Sequence, residues 1–448
     1  MKRLILTGTV LAVVMTAGAQ ETPVRQWTLR ECIDYAIENN VEIRQTALQV
    51  ENAEIELNTA RNSRLPSLSA GAGQSFGFGR FADETGATTV YHNTQSASTS
   101  LSLSADVPVF QGFRINNQIA ASRLDLAAAA EGLERAKQSL ELNVAAYYLD
   151  VLFKKELLGV HREQTILSRR QVENTRAKVN AKSAALSQLY DMEAQLGTNE
   201  VAEVNAENDL AIALLNLEQL LNVEDGDRDF DISDPGLDIV PAVGTLRDPE
   251  AIYEASVSMR PAVREAELLL RSSEYRVRIA RAAWWPSIRF GANFNDSYSY
   301  VFNSPANKSF SEQMRNLHRE GIGIDVGIPI FNRNATRNSV RQARLAVLDR
   351  ELVLEGVKLA LFKEIQQAWQ GAVSAGARYD ATTKALVSAE EAARTMELRY
   401  EEGKATVLEY SDAYTRLISS RSEQTQAKYD YLFRTKILDF YTGRPIDL

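Results

Sequence analysis

"DVPVFQGF" stands at 106–113 and "DVGIPIFN" at 325–332. Each closes a run of alternating residues and leads into a helical pattern some seventy residues long. In "STSLSLSADVPVF", Leu101, Leu103, Ala105, Val107 and Val109 share one face, and Ser100, Ser102, Ser104 and Asp106 share the other. In "GIGIDVGIPIF", Ile322, Ile324, Val326, Ile328 and Ile330 oppose Gly321, Gly323, Asp325 and Gly327. Alternation of this length suits a tilted transmembrane strand, although a half-buried soluble sheet alternates equally well.

Both stretches belong to a longer duplication. "ARNSRLPSLS" (60–69) matches "ARAAWWPSIR" (280–289), with Pro66 and Pro286 at an offset of 220. Pro108 and Phe110 match Pro329 and Phe331 at 221, as does "KVNAKSAALSQLYDMEAQL" (178–196) with "RYEEGKATVLEYSDAYTRL" (399–417). The expected organisation is an export signal at 1–19, a first unit at 20–221, an equatorial linker at 222–247 and a second unit at 248–448. Each unit reads as helix, two strands, long helix and returning helix.

The predicted helices are 28–63, 112–180 and 187–221 in the first unit, and 248–283, 333–402 and 404–441 in the second. Pro66 and Pro286 end the leading helices, and Gly403 marks the sharp turn after Tyr400. In each unit the two shorter helices together equal the long one, so a wall of four helical columns per chain follows. Leu126, Leu133, Leu140 and Tyr147 recur at seven, with Val144 and Val151 completing one seam and Leu142 and Leu149 a second. Stripes on two faces call for neighbours on both sides. Polar loops are expected at 82–98 and 303–318. Aromatics at both strand ends (Trp284, Trp285, Phe110 and Phe331; Tyr298, Tyr300, Phe302, Phe78 and Phe81) suit interfacial girdles.

Totals narrow the function. Lys2 and Arg3, the apolar "LILTGTVLAVVM" and Ala17-Gly18-Ala19 read as a cleaved export signal. Without the two basic residues the formal net charge of −9 becomes −11, which disfavours nucleic acid. Cys32 is the single cysteine, so no intrachain disulfide is expected. After the signal no apolar run is long enough for a spanning helix, so any crossing must be made by strands. Four strands cannot close a barrel, and open edges are not tolerated in lipid. Two copies would give a filled eight-stranded barrel, whereas three give twelve strands and a lumen.

No chemistry-bearing constellation emerges. His92, His161 and His318 are scattered, without metal-ligand spacing. "DGDRDFDISDPG" (225–236) fails as a calcium loop, with Phe230 at the glycine position and Gly236 at the final glutamate position. "GAGQSFGFG" lacks the strand-to-helix context of a phosphate loop. Neither an enzymatic activity nor a cofactor is expected.

The chain resembles TolC-like outer membrane factors along essentially its whole mature length. The carriers are "LRECIDYAIENNVEIRQT", "RLPSLSAG", "WWPSIRFG", "PVFQGFRINNQIAASRLDL", "PIFNRNATRNSVRQARLAV", "LRYEEGKATVLEYSDAYTRL" and "AKYDYLFRTKILDFYTG". The resemblance implies a mostly α homotrimer, with a long α-helical barrel and a twelve-stranded β-barrel in the outer membrane of a Gram-negative bacterium. It implies an exit duct of a tripartite efflux or type I secretion system, with a periplasmic adaptor and an inner-membrane pump of RND, ABC or MFS type. A periplasmic helical scaffold without a pore is the competing reading. Adaptor docking would fall on the hairpin tips, at Lys182, Ser183, Ala184 and Leu186 and at Gly403, Lys404, Ala405 and Val407. The second tip keeps the family's Tyr-x-x-Gly form, while the first has Lys182 in place of glycine. Residues 162–182 carry a net +4 and residues 383–403 a net −2. Two readings follow: ion pairs of Arg169, Arg170, Arg176 and Lys178 with Glu397, Glu401 and Glu402 across hairpins help hold the resting tunnel shut, or these are solvated helix faces worth about 0–1 kcal/mol per pair.

Overall fold

A computed structural model describes residues 26–85, 88–223, 230–236, 247–302 and 304–446. The export segment and most of the 222–247 stretch lie outside these residues. In chain order the elements are β1 (Gln26–Trp27), α1 (Leu29–Asn39), α2 (Val41–Asn62), β2 (Ser67–Thr85), β3 (Thr88–Gln111), α3 (Arg114–Asn180) and α4 (Leu186–Leu221). There follow β4 (Asp231–Ile232), α5 (Pro249–Ser256), α6 (Pro261–Ala282), β5 (Ser287–Val301), α7 (Phe310–Asn316), β6 (Arg319–Gly327), α8 (Ala335–Glu401) and α9 (Val407–Tyr441).

The 67-residue α3 and α8 are each about 100 Å long at 1.5 Å per residue. Helices α1, α2 and α4, of 11, 22 and 36 residues, together match one such column. Near the sheet, α3 lies between α2 and α6; towards the far end it lies between α4 and α9. Helix α8 packs first on α6 and then on α9. The expected seam is buried or half-buried at Leu126, Leu133, Leu140, Val144 and Val151, but Tyr147 points out and Tyr148 takes its place at 1 % exposure. A seven-residue repeat slips by ~20° per heptad on a straight helix, and by the fourth position the slip selects the next residue.

Both leading helices are broken, contrary to the single helices predicted. Asn40 (φ −63°, ψ 131°) separates α1 from α2, and its side chain accepts the amides of Glu42 and Ile43 as an N-cap. Arg260 (φ −72°, ψ 124°) occupies the same place before α6, where Pro261 at the first helical position forces the residue ahead of it out of helical geometry. At mid-height α1 packs on α3 and α4, and α5 packs on α8 and α9, which together form a collar. Its core joins Trp27, Ile33 and Cys32 to Val144, Tyr148, Leu152, Leu217 and Ile232. The parallel pair β1–β4 lies over it, and the Tyr148 hydroxyl donates to the Ser233 carbonyl at 2.7 Å.

Left-handed backbone recurs at an offset of 221. Gly112 and Phe113 match Arg333 and Asn334, Lys182 matches Gly403, and Asn222 matches Gly443, all with φ between 56° and 85°. The corresponding corners therefore demand the same local geometry from different side chains.

Strands β2–β3–β5–β6 form one antiparallel sheet in that order. Two expectations fail here. The β2–β3 pairing runs on to Thr85 opposite Thr88, so the stretch predicted as a loop at 82–98 is the upper part of a hairpin. In addition, β6 ends at Gly327, which leaves Ile328 just beyond the strand. The next residue, Pro329, has no N–H to continue a ladder. Its counterpart Pro108 sits at a bulge in β3, where the register shifts between Pro108 and Phe110. Within the predicted loop 303–318, residues Phe310–Asn316 form α7.

Candidate functional site

The sheet has two chemically distinct faces. Cross-strand rows such as Ala70–Leu103–Phe294 and Val107–Phe290–Ile324 lie on one. On this face Leu101, Leu103, Ile322, Ile324 and Val326 are exposed, Ile324 by 69 %, while Val107 is half-buried; Val109, likewise exposed, lies in the bulge, where Phe110 takes the place opposite Ile288. Ile328, also exposed, follows the strand. The opposite face carries Ser69, Gly71 and Gly73 beside Ser104, Ser102 and Ser100, then Asn293 and Asn295. The Ser69 and Ser104 hydroxyls meet at 2.7 Å. A Cβ at Gly71 would come within 2.9 Å of the Ser102 Oγ, so the polar face is packed from small groups.

Among the described residues of the chain, both outer strands, β2 and β6, are unpaired on one side. Above the end of β6 the edge of β5 is satisfied by side chains instead. The Gln313 Oε1 accepts the Ser299 N–H and its Nε2 donates to the Ser299 carbonyl, both at 2.9 Å. Asn307 repeats this at Val301, at 2.8 and 2.6 Å. These carboxamides stand in for strand peptides and blunt the edge. The lower edge, along β6 itself, has no such cover among the described residues.

The helical wall is open at matching ends. Helix α2 exposes Val41, Leu48 and Ile55 at a spacing of seven, and α8 exposes Leu345, Leu352 and Leu359 at the same spacing.

The tips have one geometry. The Ser183 N–H donates to the Lys178 carbonyl at 2.8 Å and Lys182 to Val179 at 2.9 Å; Lys404 donates to Arg399 at 2.7 Å and Gly403 to Tyr400 at 3.0 Å. This paired pattern is a Schellman ending, which requires a left-handed residue at Lys182 and Gly403. Lys182, Ser183, Leu186, Gly403 and Lys404 are exposed, whereas Ala184, Ala405 and Val407 are half-buried. Thr406 and Glu409 cap α9 reciprocally, a Thr-x-x-Glu signature legible in the sequence but not used there.

Within the chain, the tip arginines bind their own hairpin. Arg169 pairs with Glu200 at 3.0 Å and Arg176 with Glu193 at 2.8 Å, both from α3 to α4. Glu402 pairs with Lys404 at 2.7 Å. No ion pair joins Arg169, Arg170, Arg176 or Lys178 to Glu397, Glu401 or Glu402 among the described residues of one chain. Lys178 does cross between hairpins, but onto the Tyr400 ring, 5.5 Å from its centroid. A further crossing lies higher, where Arg421 meets Glu163 at 3.0 Å.

Sequence reasoning missed the aromatic joint between the hairpins. Tyr400 stacks on Tyr410 at 5.1 Å and Tyr410 lies 5.7 Å from Tyr414, over Val172, Leu189 and Met192. Gln171 donates to the Tyr410 hydroxyl at 2.6 Å. Burial, reinforced by Glu397, holds the Tyr410 phenol well above its ordinary pKa. The three tyrosines sit at helical spacing around a turn, which resembles core patterning in sequence.

Among the described residues no group of three or more His, Cys, Asp or Glu side chains converges as a metal site. No helix there is long and apolar enough to cross a membrane.

A family model described as "Outer membrane efflux protein" matches residues 32–223 and 252–444. The chain is 24 % identical over 408 residues to outer membrane protein TolC of Escherichia coli (strain K12), covering 88 % of this chain and 78 % of that protein. It is 25 % identical over 419 residues to protein CyaE of Bordetella pertussis, covering 92 % and 82 %. A solved membrane protein from Pseudomonas aeruginosa superimposes with a TM-score of 0.75 at 20 % identity, over 94 % of this chain and 91 % of that one.

Proposed function

This chain belongs to the outer membrane efflux protein family, and from that premise we propose how its own surfaces build the exit duct of a tripartite efflux or type I secretion system. The observation that carries the reading is the amphipathic sheet with two uncovered edges. In hydrocarbon each unsatisfied backbone group costs several kcal/mol, so β6 of one copy pairs with β2 of the next. Three copies of the four-stranded sheet give twelve strands around a Ser/Gly/Asn-lined lumen, with the Ile322–Ile324–Val326 face in outer-membrane lipid. The same step apposes the Leu345–Leu352–Leu359 stripe of α8 to the Val41–Leu48–Ile55 stripe of α2 and closes the wall into a tube. The duct spans the outer membrane of a Gram-negative bacterium and extends into the periplasm.

The two units of about 20–221 and 248–448 supply alternating hairpins at the lower end. Lys182, Ser183, Ala184 and Leu186, with Gly403, Lys404, Ala405 and Val407, form the surface offered to a periplasmic adaptor, and an inner-membrane pump of RND, ABC or MFS type loads the duct. Within each copy, Lys178 of the basic hairpin lies over the Tyr400 ring of the acidic hairpin that carries Glu397 and Glu401, and contacts of this kind hold the resting entrance narrow. Selection of cargo rests with the pump.

Outer-membrane fractions are expected to contain a heat-modifiable trimer that conducts ions in a planar bilayer. A stable monomer in the soluble periplasmic fraction, without conductance, would replace the duct with the scaffold reading.

A further inference from the structure

Arg333 stands just before α8, and Arg337, Arg341 and Arg344 lie in its first three turns, where no acidic residue occupies the first turn. This arrangement is unfavourable by itself. Cations oppose the positive end of the helix dipole, and like charges four residues apart repel. None of the four arginine side chains has a hydrogen bond or ion pair to another described residue. At an offset of 221, the first unit has Gly112, Asn116, Ala120 and Arg123, a single cation. The cluster is therefore peculiar to the second unit.

Its surroundings are amphipathic. Between the end of α6 and the start of α8 lies a cleft of about 500 Å³, whose lining includes Trp284, Ile330, Phe331, Arg337, Arg341 and Arg344. The apolar members are 54 %, 94 % and 79 % exposed, and Ile330 and Phe331 follow the end of β6 while Trp284 follows the end of α6. Arg344 and Phe362 are eighteen residues apart, or about five full turns, and so share a side of α8. Phe362 packs at 5.2 Å on Tyr253 of the collar helix α5. Arg344, and Arg337 seven residues before it, thus lie on the side of α8 that meets the collar. Arg337 and Arg344 also lie about a quarter turn round from the Leu345–Leu352–Leu359 stripe left for a neighbouring copy.

We propose that this cleft binds the headgroup of an anionic phospholipid of the periplasmic leaflet. Arg337, Arg341 and Arg344 take the phosphate as charge-assisted donors, and Trp284, Ile330 and Phe331 take the glycerol and upper acyl carbons. The assignment rests on the membrane reading of the sheet. It gives the duct a fixed height in the bilayer at the level where strand passes into helix.

The test uses the purified oligomer in detergent, titrated with dioctanoyl phosphatidylglycerol, with dioctanoyl phosphatidylcholine and with inorganic phosphate. Binding is read by calorimetry and by native mass spectrometry. Phosphatidylglycerol is expected to bind wild type and R123Q alike, and the R337Q/R341Q/R344Q variant at least about tenfold more weakly. Retention of affinity within about twofold in the triple variant would overturn the assignment. So would equal binding of inorganic phosphate and phosphatidylglycerol by wild type. Dissociation of the lipid-free triple variant into monomers would reassign the arginines to carboxylates of a second copy. Planar-bilayer conductance of wild type is recorded in parallel, since its absence would count against the duct and not against the cleft.

Discussion

Asn40 and Arg260 do the same work 220 residues apart. Each stands at the break in a leading helix and reaches a carbonyl 180 residues further along the chain. Asn40 Nδ2 donates to the Leu220 carbonyl at 3.0 Å, and Arg260 Nη2 donates to the Phe440 carbonyl at 2.6 Å. Both acceptors are near the C-terminal end of a returning helix, where carbonyls lack intrahelical partners. The two contacts tie the short upper helix to the lower one in each unit, so that the pair serves as one column.

The two ties differ in chemistry, and their loss should differ in size. N40A removes a donor and an N-cap and is expected to cost about 1–2 kcal/mol. R260A removes a charge-assisted bond and a guanidinium lying 4.4 and 4.8 Å from the Phe440 and Tyr441 ring centroids, and is expected to cost about 2–4 kcal/mol. Urea midpoints of the purified oligomer check the order. A smaller loss in R260A than in N40A would show that the collar is held by its apolar core instead.

At the tips, Lys182 holds a left-handed conformation (φ 61°) that strains an L-residue. K182G is expected to stabilise that turn by up to about 1 kcal/mol, and G403A to destabilise its counterpart by at least as much. Local hydrogen exchange at residues 178–186 and 399–407 measures both. Identical protection in wild type and both variants would remove the strain from this account.

The tip cations divide into those bound within one hairpin and those that cross to the other. R176E breaks a pair inside one hairpin, and R176E/E193R restores it; neither is expected to change the open probability in planar bilayers. K178E loses the contact with Tyr400 between hairpins and is expected to raise it. If R176E opens the channel as much as K178E does, the hairpin-internal pair also belongs to the lock.

Cys32 is fully buried, and burial pushes its thiol up to about 12 from an ordinary 9.0. A group whose pKa is raised on folding contributes stability below its unfolded value and loses it as the pH climbs through the folded one. The chain is therefore expected to lose stability between pH 9 and 12, less steeply in C32A. Tyr148, also raised to about 12, keeps part of the slope in that variant. In the native state, iodoacetamide at pH 8 is expected to leave Cys32 unmodified for as long as the collar stays closed; rapid labelling would mean that the collar opens.

On the lipid face, I324K is expected to abolish outer-membrane insertion, because a cation near the bilayer midplane costs about 2–4 kcal/mol in each copy. S104D, on the opposite face, is expected to insert normally. Fractionation of the two variants checks the assignment of faces, and normal insertion of I324K would reverse it.

Much of this was legible in the chain alone. Alternation at 100–109 and 321–330, seven-residue spacing in α3 and the 221-residue echo all depend on residues close in sequence, and local backbone geometry follows from them. The same locality explains the errors. A period of seven extended to Tyr147 overlooked the slow slip that buries Tyr148, and a polar stretch at 82–98 looked like a loop because nothing nearby announced that it would pair to the end. The breaks at Asn40 and Arg260 have local signals, an N-cap asparagine and Pro261, but the carbonyls that tie them in place lie 180 residues away. The partners of Arg169 and Arg176 were fixed by the rotation and height at which α4 meets α3, and opposite charges elsewhere cannot compete with carboxylates already within 3.0 Å. Sequence set which faces are apolar and where the chain turns. Tertiary structure chose which charge meets which, because that choice depends on the register between helices.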